Sequence, residues 1–246
     1  SQYHKGVYTP EHRIYFKGKQ GDEQDWRVAS AKVVAAKGPN STVIPVSGIM
    51  EPDIVLNVTP DEARFLEMVR ADGCIQRPKK HYKFRVRLKF KREAKIRRCL
   101  SILDTLNISY TVATYGEGVT EFTLHTGDTV EKLAALLGES SRKSYGSWVM
   151  NLSYAARCAL LDEVRYWDGS VASNSDGPNR QVIVYSVSRE SVHWLVEMAI
   201  MTGLTGRAVY DIPNITPFGR YDSVIHKAII RPRSQIKTLY KPKSIQ

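Results

Sequence analysis

Two stretches of this chain end in the same way. Phe65-Leu66-Glu67-Met68-Val69-Arg70-Ala71-Asp72-Gly73 and Leu161-Asp162-Glu163-Val164-Arg165-Tyr166-Trp167-Asp168-Gly169 each run as a helix-like segment into Asp-Gly. Asp168 follows Asp72 by 96 residues, and that offset recurs. Ile96, Cys99, Leu100 and Leu103 form the i, i+3, i+4, i+7 stripe of an amphipathic helix, and Val192, Leu195, Val196 and Ala199 repeat it at the same offset. The apolar phase of Phe84, Val86, Leu88 and Phe90 maps in part onto Val182 and Val184. One offset shared by three elements indicates a duplicated unit, so the chain is expected to fold as two related halves.

Each half reads helix, strand, strand, helix, strand, and then the two diverge. In the first, Thr59-Pro60-Asp61-Glu62 carries a capping residue, a proline suited to the first helical position and the glutamate of a capping box. Residues 109–115 and 119–124 read as a hairpin around Gly116-Glu117-Gly118. Val130, Leu133, Ala134 and Leu137 mark a further helix. Residues 138–150, rich in Gly, Ser, Arg and Lys, read as a connector. The expected organisation is an N-terminal segment over 1–52, a first unit over 53–140, a linker at 141–150, and a second unit over 151–246 with a basic tail.

The two aspartates carry the chemistry. Phosphodiester hydrolysis uses a divalent cation to activate water and stabilise the leaving oxygen, and hard cations such as Mg2+ take carboxylate oxygens. If duplicated helices pack side by side, symmetry brings their terminal carboxylates together, and two like charges in proximity favour a bound cation. Asp-Gly ending a helix in a plain turn is the alternative for either motif alone. Lys83, Arg85, Arg87, Lys89 and Lys91 alternate with the apolar set, so strand geometry puts them on one sheet face. A DNA groove accommodates such a row, through phosphates and through guanine edges; an edge strand protected by charge is the alternative. The offset maps this face onto Gln181, Ile183 and Tyr185, predicting a second half with fewer charges and more hydrogen bonding. Lys79 is grouped with the basic set.

Lys and Arg number 36 against 25 Asp and Glu, a net charge of +11 with a pI of about 9.5. This excess points to a polyanionic partner, although a merely basic protein has the same sum. No apolar run is long enough for a bilayer and no signal peptide is evident. Cys74, Cys99 and Cys158 show no CxxC spacing, which argues against a disulfide framework and against zinc. A reduced, intracellular (cytoplasmic) protein is expected, with no membrane partner.

The two nine-residue segments resemble the paired motifs of single-chain LAGLIDADG homing endonucleases, and the resemblance covers roughly residues 55–235. It implies an α+β fold of two pseudo-symmetric αββαββα units, with motif helices at the centre and two sheets forming a DNA-binding saddle. A small β-rich N-terminal segment would be added to it. It also implies metal-dependent cutting of double-stranded DNA across the minor groove. Two half-sites within one chain further imply a monomer and a long, asymmetric target. Carried over by position, Asp72 and Asp168 bind metal, and Ala71 and Trp167 offer backbone carbonyls to it. Lys227, in Val224-Ile225-His226-Lys227, is the candidate lysine near the metals in the second half; the first half offers no counterpart. The chain departs from the family where small residues usually let the helices touch: Glu67 and Glu163 stand five before each Asp, and Trp167 one before the second. A buried carboxylate needs a partner, and Arg70 and Arg165 are the candidates. The other reading of the same fold is a non-cleaving nucleic-acid binder, an RNA maturase or a DNA-binding regulator.

Val7-Tyr8-Thr9-Pro10-Glu11-His12-Arg13-Ile14 resembles the Thr-x-x-His segment of intein splicing domains, with Trp26, Ala29 and Ala31 in the usual continuation. No Cys or Ser with the expected preceding block stands upstream and no His-Asn pair closes the sequence, so a remnant of a splicing domain is expected, not a self-splicing one.

Overall fold

Thr59 opens the first motif helix as its sequence requires. Its hydroxyl accepts from Glu62 N at 3.2 Å, and the Glu62 carboxylate accepts from Thr59 N at 2.7 Å, a complete capping box. The second motif helix has the simpler cap, with Ser153 Oγ accepting from Ala156 N at 3.2 Å. The computed structural model describes residues 11, 13–18, 27–37, 42–43, 49–76, 84–125, 127–137, 143–171, 181–216 and 219–231.

An N-terminal sheet has β1 (Arg13–Gly18) between β2 (Arg27–Ser30) and β3 (Thr42–Val43), with the short helix α1 (Ala31–Ala36) after β2. Ile14, Phe16 and Val34 give this segment a small core of its own. The first unit follows: α2 (Pro60–Asp72), β4 (Gly73–Gln76), β5 (Arg85–Phe90), α3 (Glu93–Thr105), β6 (Tyr110–Tyr115), β7 (Val119–Leu124) and α4 (Asp128–Leu136). The second repeats it through α5 (Tyr154–Trp167), β8 (Gly169–Val171), β9 (Val182–Ser186), α6 (Arg189–Met201), β10 (Thr205–Thr216) and β11 (Gly219–Arg231). Sheet orders are β4-β5-β7-β6 and β8-β9-β11-β10, the same antiparallel arrangement twice. The fold is therefore α+β with two pseudo-symmetric units, as the repeat predicts. The offset that holds for α3 and α6 is lost after them: β10 and β11 are about twice as long as β6 and β7, and among the described residues no helix follows β11 as α4 follows β7.

α2 and α5 pack against each other at the centre of one continuous core. Phe65, Leu66, Met68 and Val69 of α2 and Ala156, Leu160 and Val164 of α5 are buried in it. Fully burying each large apolar side chain stabilises by about 1.5–3 kcal/mol. Val86, Leu88 and Phe90 turn into the same core, and the helical stripes land as expected: Cys99 and Leu103 are buried, as are Val192, Leu195, Val196 and Ala199.

Neither glycine after the aspartates has a positive φ, and Gly73 sits at −79°. They are needed for close approach: a Cβ at Gly73 would meet Val69 O at 2.6 Å, and one at Gly169 would meet Val164 O at 2.9 Å. Within the 141–150 connector, Tyr145 and Val149 are buried in the main core. The chain on both sides of residue 52 is tied to the second unit. Residue pairs Met50 N–Met201 O (3.1 Å) and Leu56 N–Asn151 O (2.7 Å) bind residues 50–56 to it, and the fully buried Arg157 donates to Met50 O. Among the described residues no helix is long and apolar enough to cross a membrane.

Candidate nucleic-acid interface and metal centre

The outer faces of the two sheets follow from register. In the first unit Arg87 lies opposite Cys74 and Thr123, Lys89 opposite Glu121, and Arg85 opposite Gln76. With Val86, Leu88 and Phe90 facing inward, Arg85, Arg87 and Lys89 share the open face with these partners. Lys91 is exposed just beyond the strand. Lys79 and Lys83 lie outside the described residues, as do Thr9 and His12. Arg85, Arg87 and Lys89 are thus brought together as the alternation predicts. The same face carries an acid that strand periodicity in β5 cannot reveal. Glu121 is nearly buried, with Lys89 Nζ at 2.7 Å and Arg87 Nη1 at 3.9 Å.

In the second unit Gln181, Ile183 and Tyr185 share the open face with Lys227 and Ile229 of β11 and Arg207 and Val209 of β10. Gln181 accepts from Arg231 Nε at 2.8 Å, and the Lys227 ammonium stands 5.5 Å from the centroid of the half-exposed Tyr185 ring. This face also carries Arg207, Lys227 and Arg231, which come from the final hairpin, beyond the strand that the 96-residue offset maps.

Gly73 pairs with Leu88 and Gly169 with Val184, so each preceding aspartate stands level with the next residue of the neighbouring strand. The rows read Asp72, Lys89, Glu121 in one half and Asp168, Tyr185, Lys227 in the other. Adjacent strands are about 4.8 Å apart, which puts the backbone of Lys227 roughly 10 Å from that of Asp168. The counterpart of Lys227 in the first half is Glu121, an acid, which is why no lysine could be matched there from sequence.

Below these rows the motif helices hold a network of buried charge. Arg70 donates to both oxygens of Glu67 at 2.8 and 2.9 Å, and Tyr145 Oη donates to Glu67 at 2.5 Å. The Arg70 guanidinium lies 4.6 Å from the Tyr145 ring centroid. Burial pushes the Glu67 carboxyl up, with Arg70 and the Tyr145 hydrogen bond opposing it. Burial opposes the Arg70 charge, but Glu67, Tyr145 and Asp168 together outweigh it and hold the Arg70 pKa above its ordinary value. Glu163 is paired by Arg98 of the other unit in a two-pronged contact, and accepts from Trp167 Nε1 at 3.0 Å. Arg70 is the partner expected for Glu67. Arg165 is not the partner of Glu163; it pairs with Asp162 and Tyr166 on the surface side. Trp167, where the family pattern has a small residue, reaches into the first unit, with its ring 5.5 Å from that of Phe90. Ala71 is half-buried at the corresponding position.

At the helix ends, Arg70 Nη2 donates to Asp168 Oδ2 at 2.8 Å and Lys95 Nζ to Asp72 Oδ2 at 2.5 Å. Lys143 donates to Val69 O at 2.9 Å and to Gly73 O. Burial and the neighbouring Arg70 lower the Lys143 pKa. Lys95, Lys143, Tyr145 and Arg98 are site residues that sequence reasoning did not find. Only the Glu67–Arg70 spacing carried a local signal; the others meet the centre through tertiary folding. Asp72 and Asp168 keep 26% and 33% of their side-chain surface, enough for a ligand to reach them. Two accessible carboxylates are hard donors of the right chemistry for a divalent cation. Among the described residues no group of three or more His, Cys, Asp or Glu could hold a metal. The donor set therefore fits an ion that completes its shell with water, backbone carbonyls and phosphate.

No protein-family model matches the chain, and no curated protein matches it by sequence. Solved structures do match. Mesophilic variants of the homing endonuclease I-DmoI give a TM-score of 0.51 at 13% identity, covering 75% of this chain and 95% of that one. I-DmoI in complex with DNA and Mn gives 0.50 at 14% identity, over 77% and 99% of the two chains. Its complex with DNA and Ca gives 0.50 at 14%, over 76% and 90%. At these identities the likeness is one of fold, and it extends across both units of this chain.

Proposed function

We propose that this chain is a site-specific, metal-dependent endonuclease of double-stranded DNA, of the LAGLIDADG homing type. The observation that carries the reading is the placement of Asp72 and Asp168. They end two packed central helices, accessible, between two sheets whose open faces carry arginine and lysine. I-DmoI, which shares the fold, is a homing endonuclease solved with DNA and Mn or Ca.

In this reading the first open face binds one side of the target through Arg85, Arg87, Lys89 and Lys91, joined by Lys79 and Lys83. The second binds the other side through Gln181, Tyr185, Arg207 and Lys227. Asp72 and Asp168, with the backbone carbonyls of Ala71 and Trp167, hold Mg2+. When bound, the ion supplies an activated water and a Lewis acid for the leaving oxygen. Lys227 places a cation beside the second half of the centre. The central helices and Trp167 wall the site on its core side and orient the two aspartates. One chain suffices for both strands, so the working species is a monomer on a long asymmetric site. The small N-terminal sheet is read as the remnant of a splicing domain.

The deciding experiment is incubation with a randomised duplex library and Mg2+, followed by sequencing of cut ends. Recovery of one extended site supports the reading. Tight selection of a duplex with no cut ends, in Mg2+ or in Mn2+, would instead establish the second reading, a non-cleaving binder. The observation favouring that reading is that both aspartates already hold ion pairs.

A further inference from the structure

The cations at the two aspartates come from separate parts of the chain and meet at the ends of the two packed motif helices. Arg70 belongs to α2, Lys95 to the first turn of α3, and Lys143 to the connector, yet all three ammonium or guanidinium groups lie at the junction of the motif helices. Arg70 cannot drift away, because it is 7% exposed, forked onto Glu67 and packed on Tyr145. Its Nη2 serves Glu67 and Asp168 together. Lys95 is less confined, on a flexible stem near the Trp167 ring.

A divalent ion entering this junction meets three basic side chains, Arg70 anchored and Lys95 less confined, along with the two carboxylates that attract it. Like charges at these separations oppose its entry. Duplex DNA changes that balance. Its phosphates bring negative charge into the junction, serve as metal ligands, and accept hydrogen bonds from a lysine or arginine that lets go of a carboxylate. We propose that Arg70 and Lys95 are internal counter-ions that occupy Asp168 and Asp72 in the DNA-free protein, so that uptake of the divalent ion is coupled to DNA binding. The inference rests on the metal-centre reading above and adds to it the order of events: DNA first, metal second. In the balance of charge, Lys95 moves from carboxylate to phosphate and Asp168 turns from the anchored Arg70 to the ion.

The test is Mn2+ binding to the full chain, read from the electron paramagnetic resonance signal of free Mn2+, with and without a duplex recovered from the library. The DNA-free protein should bind Mn2+ weakly. Lys95→Met should raise that affinity by about tenfold, a change expected for removing one close cation. Lys95→Arg, which restores the charge, should return it to the wild-type value. The duplex should tighten Mn2+ binding to the wild type beyond the binding seen with Asp72→Asn and duplex. DNA-free wild type that binds Mn2+ as tightly as Lys95→Met, or a duplex that leaves the Asp72-dependent affinity unchanged, would overturn the coupling and leave the metal centre standing. Mn2+ uptake with duplex that is indifferent to both Asp72→Asn and Asp168→Asn would overturn the metal centre itself. Thermal melting of each variant separates loss of fold from loss of charge.

Discussion

The two halves of the molecule share a backbone register but place opposite charges at its far end. In the first, the row from Asp72 passes through Lys89 to Glu121, which is nearly buried between Lys89 and Arg87. In the second, the row from Asp168 passes through Tyr185 to Lys227, with no acid beyond the aspartate itself. The first face therefore holds its basic row on an internal acid, and the second holds its lysine over an aromatic ring. The difference extends below the sheets. Glu67 is paired from within its own helix by Arg70, while Glu163 is paired across the halves by Arg98. Duplication has kept the strand order and the terminal aspartates, while the groups that surround them have diverged. On the function proposed above, a chain built this way can treat two sides of one target differently.

The largest effect should come from the feature the halves share. Asp72→Asn and Asp168→Asn should each abolish double-strand cleavage and largely spare DNA binding, measured by linearisation of a plasmid carrying the selected site and by gel shift. Full cleavage by either variant would make the two halves unequal in their chemistry. The buried glutamates come next. Arg70→Ala leaves Glu67 unpaired except for Tyr145, and should cost about 3–5 kcal/mol, the usual result of breaking a buried pair. Arg98→Ala should cost less, because Arg98 is 26% exposed and Trp167 still donates to Glu163. Urea unfolding of the two variants ranks them, and equal losses would contradict the asymmetry.

On the open faces, Arg85→Ala or Arg87→Ala should relax base preference by about 1–3 kcal/mol where the contact is bidentate. Glu121→Gln should act in the opposite direction, releasing Lys89 and Arg87 to phosphate and steepening the salt dependence of binding by about one contact. Unchanged salt slopes in Glu121→Gln would remove the acid from the DNA-binding balance. The smallest effect is a footprint. Cys74 is exposed opposite Arg87, whereas burial pushes the Cys99 thiol up to about 12. A thiol reagent at neutral pH should label Cys74 rapidly and Cys99 not at all in the native protein, and bound duplex should protect Cys74. No protection would place the DNA elsewhere.

The repeat, the caps, the alternating strand and the paired aspartates were legible in the sequence because each rests on local rules. Helical and strand periods decide which side chains share a face. Capping depends on residues three apart, and a duplicated unit repeats its offset. The sequence by itself thus determined two α+β units, their central helices, the inward face of each sheet, and Asp72 and Asp168 as the equivalent ends of two motifs. Tertiary structure alone decided what those aspartates meet. Lys95 is 23 residues from Asp72, and Arg70 is 98 from Asp168. Lys143 and Tyr145 come from a stretch whose composition reads as a connector. Ion pairs between residues so far apart follow from the packing of helices, not from any period along the chain. The same holds for Glu121: an alternating pattern puts it on a face, but only the neighbouring strand shows that the face is basic and that the carboxylate is enclosed by it.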